Sequence, residues 1–322
     1  MSLKKRVFEI DSEENFNKIA LEVFDFQYNN IPLYHSFVEG LNKNKPEHYS
    51  EIPFLPISFF KTHKIGKENM SENILFMSSG TTGQTRSKHF VEDVFLYEES
   101  FEKAYKLLVG EPKNQVILAL LPNYLEQGNS SLVYMVEKLI ALSENQLSGF
   151  LLNQQDEIFI RYQEALKENK QVVIFGVSYA LLDLAEKGLS FNQAMIIETG
   201  GMKGRRKELS KEELHSVLKQ GLDVEYVASE YGMTELLSQG YSNKNGIFTC
   251  PPWMKICIRD VNDPMSFVEE GKSGGINVID LANLNSCSFI ATEDLGKITQ
   301  NGFQILGRID LSDIRGCNLL IQ

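Results

Sequence analysis

The pattern of apolar and polar positions predicts alternating strands and helices through the middle of the chain. Between residues 115 and 228, apolar runs of strand length recur, namely QVILALL, QVVIFGV, NQAMIIE and DVEYVA. Amphipathic stretches separate these runs, such as Ser131 to Leu142 and Ser210 to Gln220. Strands that alternate with helices are typical of a parallel sheet with helical crossovers. The sequence therefore predicts an α/β core.

The N-terminal part carries a different pattern. Asp11 followed by Glu14 indicates a capping box at the start of a helix, whose apolar stripe is Phe16, Ile19, Ala20, Val23 and Phe24. Two prolines in IPFLPISFFKTHKI predict an extended segment laid against the core. A short strand is expected from Asn73 to Met77.

The C-terminal quarter is predicted to be mostly β. From Met254 onward the helical pattern gives way to short strand-like runs, KICIR, GINVID and FQILG, and Asn301-Gly302 is typical of a tight hairpin. We find no internal repeat and no linker rich in serine or proline. We expect one continuous body, with an α/β core over residues 1–228 and a β-rich section of the same core over residues 229–322.

A loop rich in glycine and hydroxyl groups, SSGTTGQTRSK from Ser78 to Lys88, follows the predicted strand and precedes the extended segment His89 to Val91. Glycines let backbone N–H groups approach an anion, while serine and threonine add hydroxyl donors. Arg86 and Lys88 supply positive charge. The chain contains no G-x-x-x-x-G-K-[ST] sequence, which disfavours a P-loop kinase or GTPase. We interpret the loop as a phosphate-binding loop rather than an ordinary polar turn.

A second polar segment, Ser229 to Glu235, comes directly after the run DVEYVA. The end of a parallel strand delivers side chains into a cleft. At this position, Tyr231 would stack on a base, Thr234 would bond a phosphate, and Glu235 would hold the magnesium ion that accompanies ATP. The two polar segments together therefore favour a nucleotide site.

Composition narrows the classes of partner. The formal net charge is −11, which disfavours nucleic acid, because affinity for nucleic acid comes chiefly from Lys and Arg on phosphates. No apolar stretch reaches the roughly 18 residues of a membrane span, and no secretory signal is evident. The four cysteines lack the spacing of a zinc site or a disulfide framework. We therefore expect a cytoplasmic protein with reduced thiols.

The motifs SSGTTG, SEYGMTE, ATEDLGKI and ILGRIDLSDIRG stand in the order found in the adenylate-forming (ANL) superfamily of acyl-CoA synthetases, adenylation domains and luciferases. Within it, the short chain, FLPISFFKTH and the cysteine of RGCN most resemble the acyl-protein synthetase (LuxE) branch, with phenylacetate-CoA ligases second. The resemblance implies an acyl-CoA synthetase-like α/β fold with parallel and mixed sheets. It also implies activation of a carboxylic acid, fatty in the LuxE branch, by ATP and Mg²⁺.

The resemblance also assigns roles to individual residues. The β- and γ-phosphates of ATP would lie on the loop, with contacts from Ser78, Ser79, Gly80, Thr81, Thr82 and Gly83. Tyr231 with Gly232, Thr234 and Glu235 would take the adenine, α-phosphate and magnesium roles. Asp294 and Arg308 would hold the ribose. Gly200 and Gly201 would let the backbone approach the adenine.

Two departures from the superfamily pattern stand out. The usual Pro-Lys ending of the loop is replaced by Thr85-Arg86, and the sequence stops twelve residues after Asp310. The small C-terminal lid domain and its catalytic lysine are therefore expected to be absent. Lys88, Arg86, another basic residue or a partner subunit would then supply the charge, or adenylation would be slow.

The acyl acceptor is a further expectation. Cys317, beside Arg315 near the chain end, is a candidate thiol that takes the acyl group from the adenylate and passes it to a partner reductase or acyl carrier. Coenzyme A is the second candidate acceptor. Cys250, Cys257 and Cys287 are expected to be inert buried thiols.

Two alternatives of other classes remain open at this stage. Gly176-Val177-Ser178-Tyr179-Ala180 follows a predicted strand and is similar to a nucleophile elbow, which would make Ser178 the nucleophile of a hydrolase or acyltransferase, with His215 as the following histidine. A chain without a lid is also compatible with a non-catalytic subunit that binds nucleotide or acyl groups. The remaining histidines, His35, His48, His63 and His89, are expected to be surface or satisfied core residues.

Overall fold

The computed structural model describes residues 1–71, 73–79, 85–122, 128–200, 206, 209–242 and 244–309. Its α-helices are α1 (Leu3–Val7), α2 (Glu13–Asn30), α3 (Pro32–Gly40), α4 (Phe59–Thr62), α5 (Val94–Leu108), α6 (Ser131–Ser143), α7 (Gln155–Lys167), α8 (Ser178–Ala185) and α9 (Lys211–Leu222). Short 3₁₀ turns occupy Tyr49–Glu51 and Pro112–Asn114.

The strands before residue 232 are β1 (Leu55–Pro56), β2 (Ile74–Met77), β3 (Lys88–Val91), β4 (Gln115–Leu120), β5 (Gly149–Phe150), β6 (Gln171–Val177), β7 (Ala194–Thr199) and β8 (Val227–Tyr231). The later strands are β9 (Gly240–Ser242), β10 (Phe248–Thr249), β11 (Met254–Arg259), β12 (Ser273–Asp280), β13 (Phe289–Thr299) and β14 (Gly302–Arg308).

A 12-stranded sheet combines a parallel and an antiparallel part. Strands β5, β4, β6, β7 and β8 run parallel in that spatial order. Strand β9 pairs antiparallel with β8, and β10, β14, β13, β12 and β11 continue the sheet antiparallel. The twelfth strand, β1, pairs parallel with β13. The predicted α/β fold with a mixed sheet is thus confirmed, and β8 lies where the parallel part meets the antiparallel part.

Local sequence explains the parallel part. All residues of β4 are buried, as is the rest of β6 after Gln171, which indicates that both faces of these strands are covered. Helix α9 begins with a capping box between Ser210 and Glu213 and ends at Asp223, which adopts the left-handed conformation. The β13–β14 hairpin closes between Thr299 and Gly302, as the Asn301-Gly302 pair predicted.

Three predicted boundaries are corrected. The cap of α2 is Ser12 instead of Asp11, because the Ser12 hydroxyl accepts the Asn15 backbone N–H at 3.2 Å while Asp11 accepts the Asn15 side-chain amide. The first residue of the run DVEYVA, Asp223, caps the C-terminus of α9. Strand β8 therefore begins only at Val227 and includes the first residues of SEYGMTE. The extended segment with two prolines is confirmed at β1, but its next residues form α4.

Candidate functional site

The base of the predicted phosphate loop is closed by a pair of serines. The Ser78 backbone N–H donates to the Ser87 carbonyl at 3.1 Å, and the Ser87 N–H donates to the Ser78 hydroxyl at 2.9 Å. Strands β2 and β3 pair directly below, with Met77 opposite Lys88. Ser79 and Lys88 are exposed at this base. Gly80, Thr81, Thr82 and Gly83 lie outside the described residues.

Glu235 meets this loop base from the segment that follows β8. Glu235 is 5% exposed, and its carboxylate lies close enough to the Ser87 side chain for Ser87 to lower its pKa. Burial raises the pKa of Glu235, while Ser87 and the charges of Lys61 and Arg308 oppose this rise. The proposed magnesium ligand therefore lies beside the proposed phosphate loop, although the two are far apart in sequence.

His89, on β3, connects the base of the phosphate loop to the segment that carries Thr234 and Glu235. Its Nδ1 lies 2.8 Å from the Thr234 carbonyl oxygen, and its Nε2 lies 3.1 Å from Oδ1 of Asn283. The amide of Asn283 in turn donates to the carbonyl oxygens of Glu235 and Cys287, each at 2.8 Å. Burial lowers the pKa of His89 to about 4, which confirms it as a hydrogen-bonded core residue. The backbone that carries Thr234 and Glu235 is thereby fixed to β3.

Tyr231, Asp294 and Arg308 come together on neighbouring strands. The Tyr231 hydroxyl donates to Oδ2 of Asp294 at 3.0 Å, and Nε of Arg308 lies 3.6 Å from Oδ1 of the same carboxylate. Asp294 and Arg308 are directly opposite in the β13–β14 ladder. Burial raises the pKa of Asp294, and Arg308 opposes that rise. The Tyr231 ring packs edge-on against Phe303, with the two ring centroids 5.5 Å apart.

Two of the predicted glycines are held by specific contacts. Gly200 ends β7 with φ of +65°, a conformation that favours glycine, and its carbonyl accepts the Ser178 hydroxyl at 3.0 Å. A Cβ at Gly232 would lie 2.2 Å from Oε1 of Glu230, so this position has no room for a side chain. Gly201 lies outside the described residues.

Sequence reasoning missed a buried carboxylate at the end of β7. Glu198 accepts hydrogen bonds from the Ser229 hydroxyl at 2.7 Å and the Ser178 hydroxyl at 3.3 Å, and it pairs with Lys211 at 2.9 Å. Burial opposes its ionisation, but His215, Lys211 and Ser229 together hold the pKa of Glu198 at about 2. The sequence did carry one signal for Glu198, since an acidic residue stands at the carboxyl end of the predicted parallel strand NQAMIIE.

This network also answers the nucleophile-elbow hypothesis. Strand β6 ends at Val177 and α8 begins at Ser178, so the strand–turn–helix is present. However, Ser178 is 1% exposed and its hydroxyl donates to Gly200 and Glu198. His215 contacts the Ser229 hydroxyl instead, at 3.2 Å. The geometry favours a structural role for Ser178.

The cysteines divide into described and undescribed positions. Cys250, Cys257 and Cys287 are free thiols. Cys287 is buried as predicted, whereas Cys250 and Cys257 are half-buried. Desolvation raises the pKa of all three, to about 12 for Cys257 and Cys287, which disfavours the reactive thiolate. Cys317 lies outside the described residues.

The described part of the chain holds neither a ready cluster of metal ligands nor a membrane-spanning helix. Within it, His, Cys, Asp and Glu side chains do not gather in groups of three or more that would hold a metal ion. None of the helices described here has the length and apolarity needed to cross a bilayer. A lone Glu235 suits a magnesium ion that takes its other ligands from phosphates and water.

Comparisons with solved structures identify the fold. The chain resembles ATP-bound MatB from Rhodopseudomonas palustris at 18% identity and a TM-score of 0.54, over 75% of this chain and 49% of that one. It therefore spans about half the length of MatB. The open form of 2-hydroxyisobutyryl-CoA ligase, in complex with 2-HIB-AMP and CoA, matches at 12% identity and a TM-score of 0.66, over 92% of this chain and 71% of that one.

The same ligase in its thioesterification state matches at 13% identity and a TM-score of 0.66, over 95% of this chain and 71% of that one. No curated protein matches the chain. These neighbours are ligases with the fold of the adenylate-forming superfamily. A family model described as "Acyl-protein synthetase, LuxE" matches residues 3–322, so the chain belongs to the LuxE acyl-protein synthetase family.

Proposed function

We propose that this protein joins a carboxylic acid to the AMP part of ATP, releases pyrophosphate, and then transfers the acyl group to a thiol. One observation carries the proposal: Ser87, at the base of the glycine and hydroxyl loop, lies close enough to the buried carboxylate of Glu235 to lower its pKa. This proximity supports a site that the proposed phosphate loop and Glu235 would share. The family match and the ATP-bound MatB neighbour support the use of ATP.

In the first step, a carboxylate oxygen attacks the α-phosphorus of ATP, and the bond from that phosphorus to the bridging oxygen of pyrophosphate breaks. The reaction gathers negative charge on the phosphates, so donors placed in advance lower its barrier. Loop hydroxyl and amide groups, with Lys88 close by, would hold the β- and γ-phosphates, and Thr234 would bond the α-phosphate. A magnesium ion on Glu235 would supply the neutralising charge.

The adenosine would lie against the strands that follow. Asp294 is held by Tyr231 on one oxygen and approached by Arg308 on the other, and a carboxylate fixed in this way is suited to the ribose hydroxyls. Gly200 ends β7 without a side chain, which leaves the backbone open to the adenine. Since Tyr231 and Gly232 lie between these contacts and Glu235, one nucleotide would touch all of them.

For the second step, a thiol attacks the acyl carbon of the adenylate, forms a thioester and displaces AMP. We assign Cys317 as the first acceptor, a partner reductase or acyl carrier as the next, and coenzyme A as the alternative acceptor. As the substrate we propose a fatty acid, following the resemblance of the sequence motifs to the LuxE branch.

Acid-dependent exchange of pyrophosphate into ATP tests the first step. Glu235→Gln keeps the size of the side chain but removes its charge, so we expect exchange to be lost. Glu99→Ala, which removes an exposed carboxylate on α5 that pairs with Lys103, serves as the control and should retain exchange. Full exchange by Glu235→Gln would remove the magnesium role, and nucleotide binding without pyrophosphate release would favour a non-catalytic subunit.

Covalent labelling tests the second step. Radiolabelled fatty acid with ATP should label the protein through a bond that hydroxylamine cleaves, and Cys317→Ser should not be labelled. Cys257→Ser is the matched control, because that thiol is half-buried and its pKa is raised to about 12 by burial. Equal labelling of Cys317→Ser would make Cys317 a bystander.

A further inference from the structure

Thr199, Glu230 and Tyr241 share one face of the sheet beside the proposed nucleotide site. Glu230 and Tyr241 are directly opposite in the antiparallel β8–β9 pair, so their side chains project to the same side. Thr199, on the parallel neighbour β7, donates its hydroxyl to Oε2 of Glu230 at 2.5 Å. Helix α5 covers this face, since the rings of Tyr105 and Tyr241 meet edge-on at 6.1 Å.

Two polar groups here lack hydrogen-bond partners. The Tyr241 hydroxyl and the side-chain oxygen of Gln239 are buried without a partner in the described part of the chain. Their residues are only 3% and 4% exposed. Leaving such a group unpaired in a protein interior is destabilising, because its hydrogen bonds to water are lost and not replaced. Buried polar groups without hydrogen-bond partners need an explanation, and a bound ligand that pairs with them supplies one.

The carboxylate of Glu230 lies in the same place. Its Oε1 and the Cγ of Gln239 both approach the point where a side chain of Gly232 would begin, at 2.2 Å and 3.2 Å. Its charge is also close enough to raise the pKa of Tyr241 further, beyond the larger effect of burial. Glu230 retains partial exposure, whereas Ser229 and Tyr231 on either side are buried. Glu230 is therefore the more accessible of these three neighbouring residues of β8.

Along their strands, Glu230 and Thr199 directly precede residues that we assign to the nucleotide site. Glu230 directly precedes Tyr231, whose hydroxyl holds Asp294, and Thr199 directly precedes Gly200. A bound acid with its carboxylate at the α-phosphate would thus have its first carbons beside Glu230. A plain alkyl chain would cover these polar groups without pairing them.

We propose that Glu230, Gln239 and Tyr241 bind a hydrogen-bond-donating substituent, a hydroxyl or an amino group, close to the carboxylate of the acid. This inference rests on the proposed function and refines its substrate class. The amide oxygen of Gln239 and the carboxylate of Glu230 accept from the substituent, and the Tyr241 hydroxyl completes its hydrogen bonds. A site built with buried polar groups discriminates strongly against analogues that leave those groups unpaired.

Chain-matched acids test the proposal in the pyrophosphate exchange assay. We compare octanoate with 3-hydroxyoctanoate and 3-aminooctanoate, and we expect kcat/KM for at least one substituted acid to exceed that for octanoate by about 100-fold. Tyr241→Phe and Gln239→Leu should move this ratio toward one. Tyr226→Phe, a matched change under the Lys244 side chain, should leave the ratio unaltered.

The two substituents are distinguished by Glu230→Gln. An amino preference should fall with the loss of the negative charge, while a hydroxyl preference should largely persist because the amide still accepts a hydrogen bond. Either of two results would overturn the inference. One is that the protein uses octanoate as well as both substituted acids, and the other is that the preference is unaltered in Tyr241→Phe and Gln239→Leu. Exchange with octanoate alone would leave the proposed function standing, whereas absence of exchange with any acid would refute that function instead.

Folding of these variants is checked by urea unfolding. Tyr241→Phe removes a hydroxyl that has no partner, so the free energy of unfolding should be unchanged or increased. A thermal shift measured with each acid gives a second readout, in which the preferred acid raises the Tm of the wild type more than that of Tyr241→Phe. Equal shifts in the two proteins would also count against the proposed contact.

Discussion

Glu198 and Glu230 lie on adjacent parallel strands, yet the protein treats them in opposite ways. Glu198 receives two serine hydroxyls and lies against Lys211 and His215, and its pKa is about 2. For Glu230, Thr199 is the described donor, and burial raises its pKa to about 7. A buried carboxylate whose lone pairs are all used can serve only the structure. A carboxylate that still has free lone pairs can accept hydrogen bonds from a ligand.

Glu235 belongs with Glu230 in this comparison. It is buried, burial raises its pKa as well, and the nearby Ser87 opposes that rise. Both residues come from the segment in which β8 ends and the chain turns into the antiparallel part of the sheet. The saturated carboxylate thus stabilises the parallel part, whereas the unsaturated ones face the proposed cleft. The predictions below test this division, from the largest expected effect to the smallest.

Glu198→Ala should lower the free energy of unfolding by about 4 kcal/mol, because Lys211, His215 and two serines would lose a shared buried partner. Urea unfolding at neutral pH measures this change. Glu212→Ala, on the exposed side of α9, is the control and should change stability by less than about 0.5 kcal/mol. A loss below about 1 kcal/mol for Glu198→Ala would show that the network contributes little to stability.

Glu230 should make stability depend on pH. Its folded pKa of about 7 exceeds the ordinary 4.5, so the folded protein binds more protons than the unfolded chain between these values. Stability contributed by this group is therefore complete below pH 4.5 and is lost as the pH rises through 7, by roughly 3 kcal/mol in total. Urea unfolding across this range should show the decline in the wild type and a flatter curve in Glu230→Gln. Parallel curves would mean that Glu230 is ionised throughout.

His89→Ala should lower the free energy of unfolding by about 2 kcal/mol, since it removes a buried imidazole that, neutral at pH 7, donates its one N–H to the Thr234 carbonyl or to Oδ1 of Asn283. If His89 positions Glu235, the same variant should also raise the magnesium concentration needed for half-maximal exchange. His89→Gln, which retains an amide donor, should restore part of both effects. A stability loss without any change in magnesium dependence would limit His89 to a structural role.

Ser178→Ala should have the smallest effect, about 1 kcal/mol of unfolding free energy, because it removes hydrogen bonds to Glu198 and Gly200. In the same assay set, the wild type should not hydrolyse esters in the absence of ATP. Ester turnover that is lost in Ser178→Ala would revive the hydrolase hypothesis.

Much of the fold was predictable because its signals are local. The apolar runs of β4, β6 and β7 and the amphipathic α6 and α9 lie where their periodicity predicted. Boundaries were less certain, because neighbouring residues compete for the same cap, as Ser12 and Asp11 do at α2. The start of β8 moved for a similar reason, since Asp223 ends α9 in the left-handed conformation.

The sequence by itself determined the order of strands and helices, the phosphate-loop composition and the motif residues Tyr231, Thr234, Glu235, Asp294 and Arg308, because periodicity and motif order are properties of the linear chain. Tertiary structure alone decided which polar groups meet. His89 and Asn283 are separated by 194 positions, and Glu230 faces Tyr241 only through the β8–β9 register. Such contacts depend on strand order and pairing, which no local pattern encodes, and they decide which buried carboxylates are saturated and which remain open to a ligand.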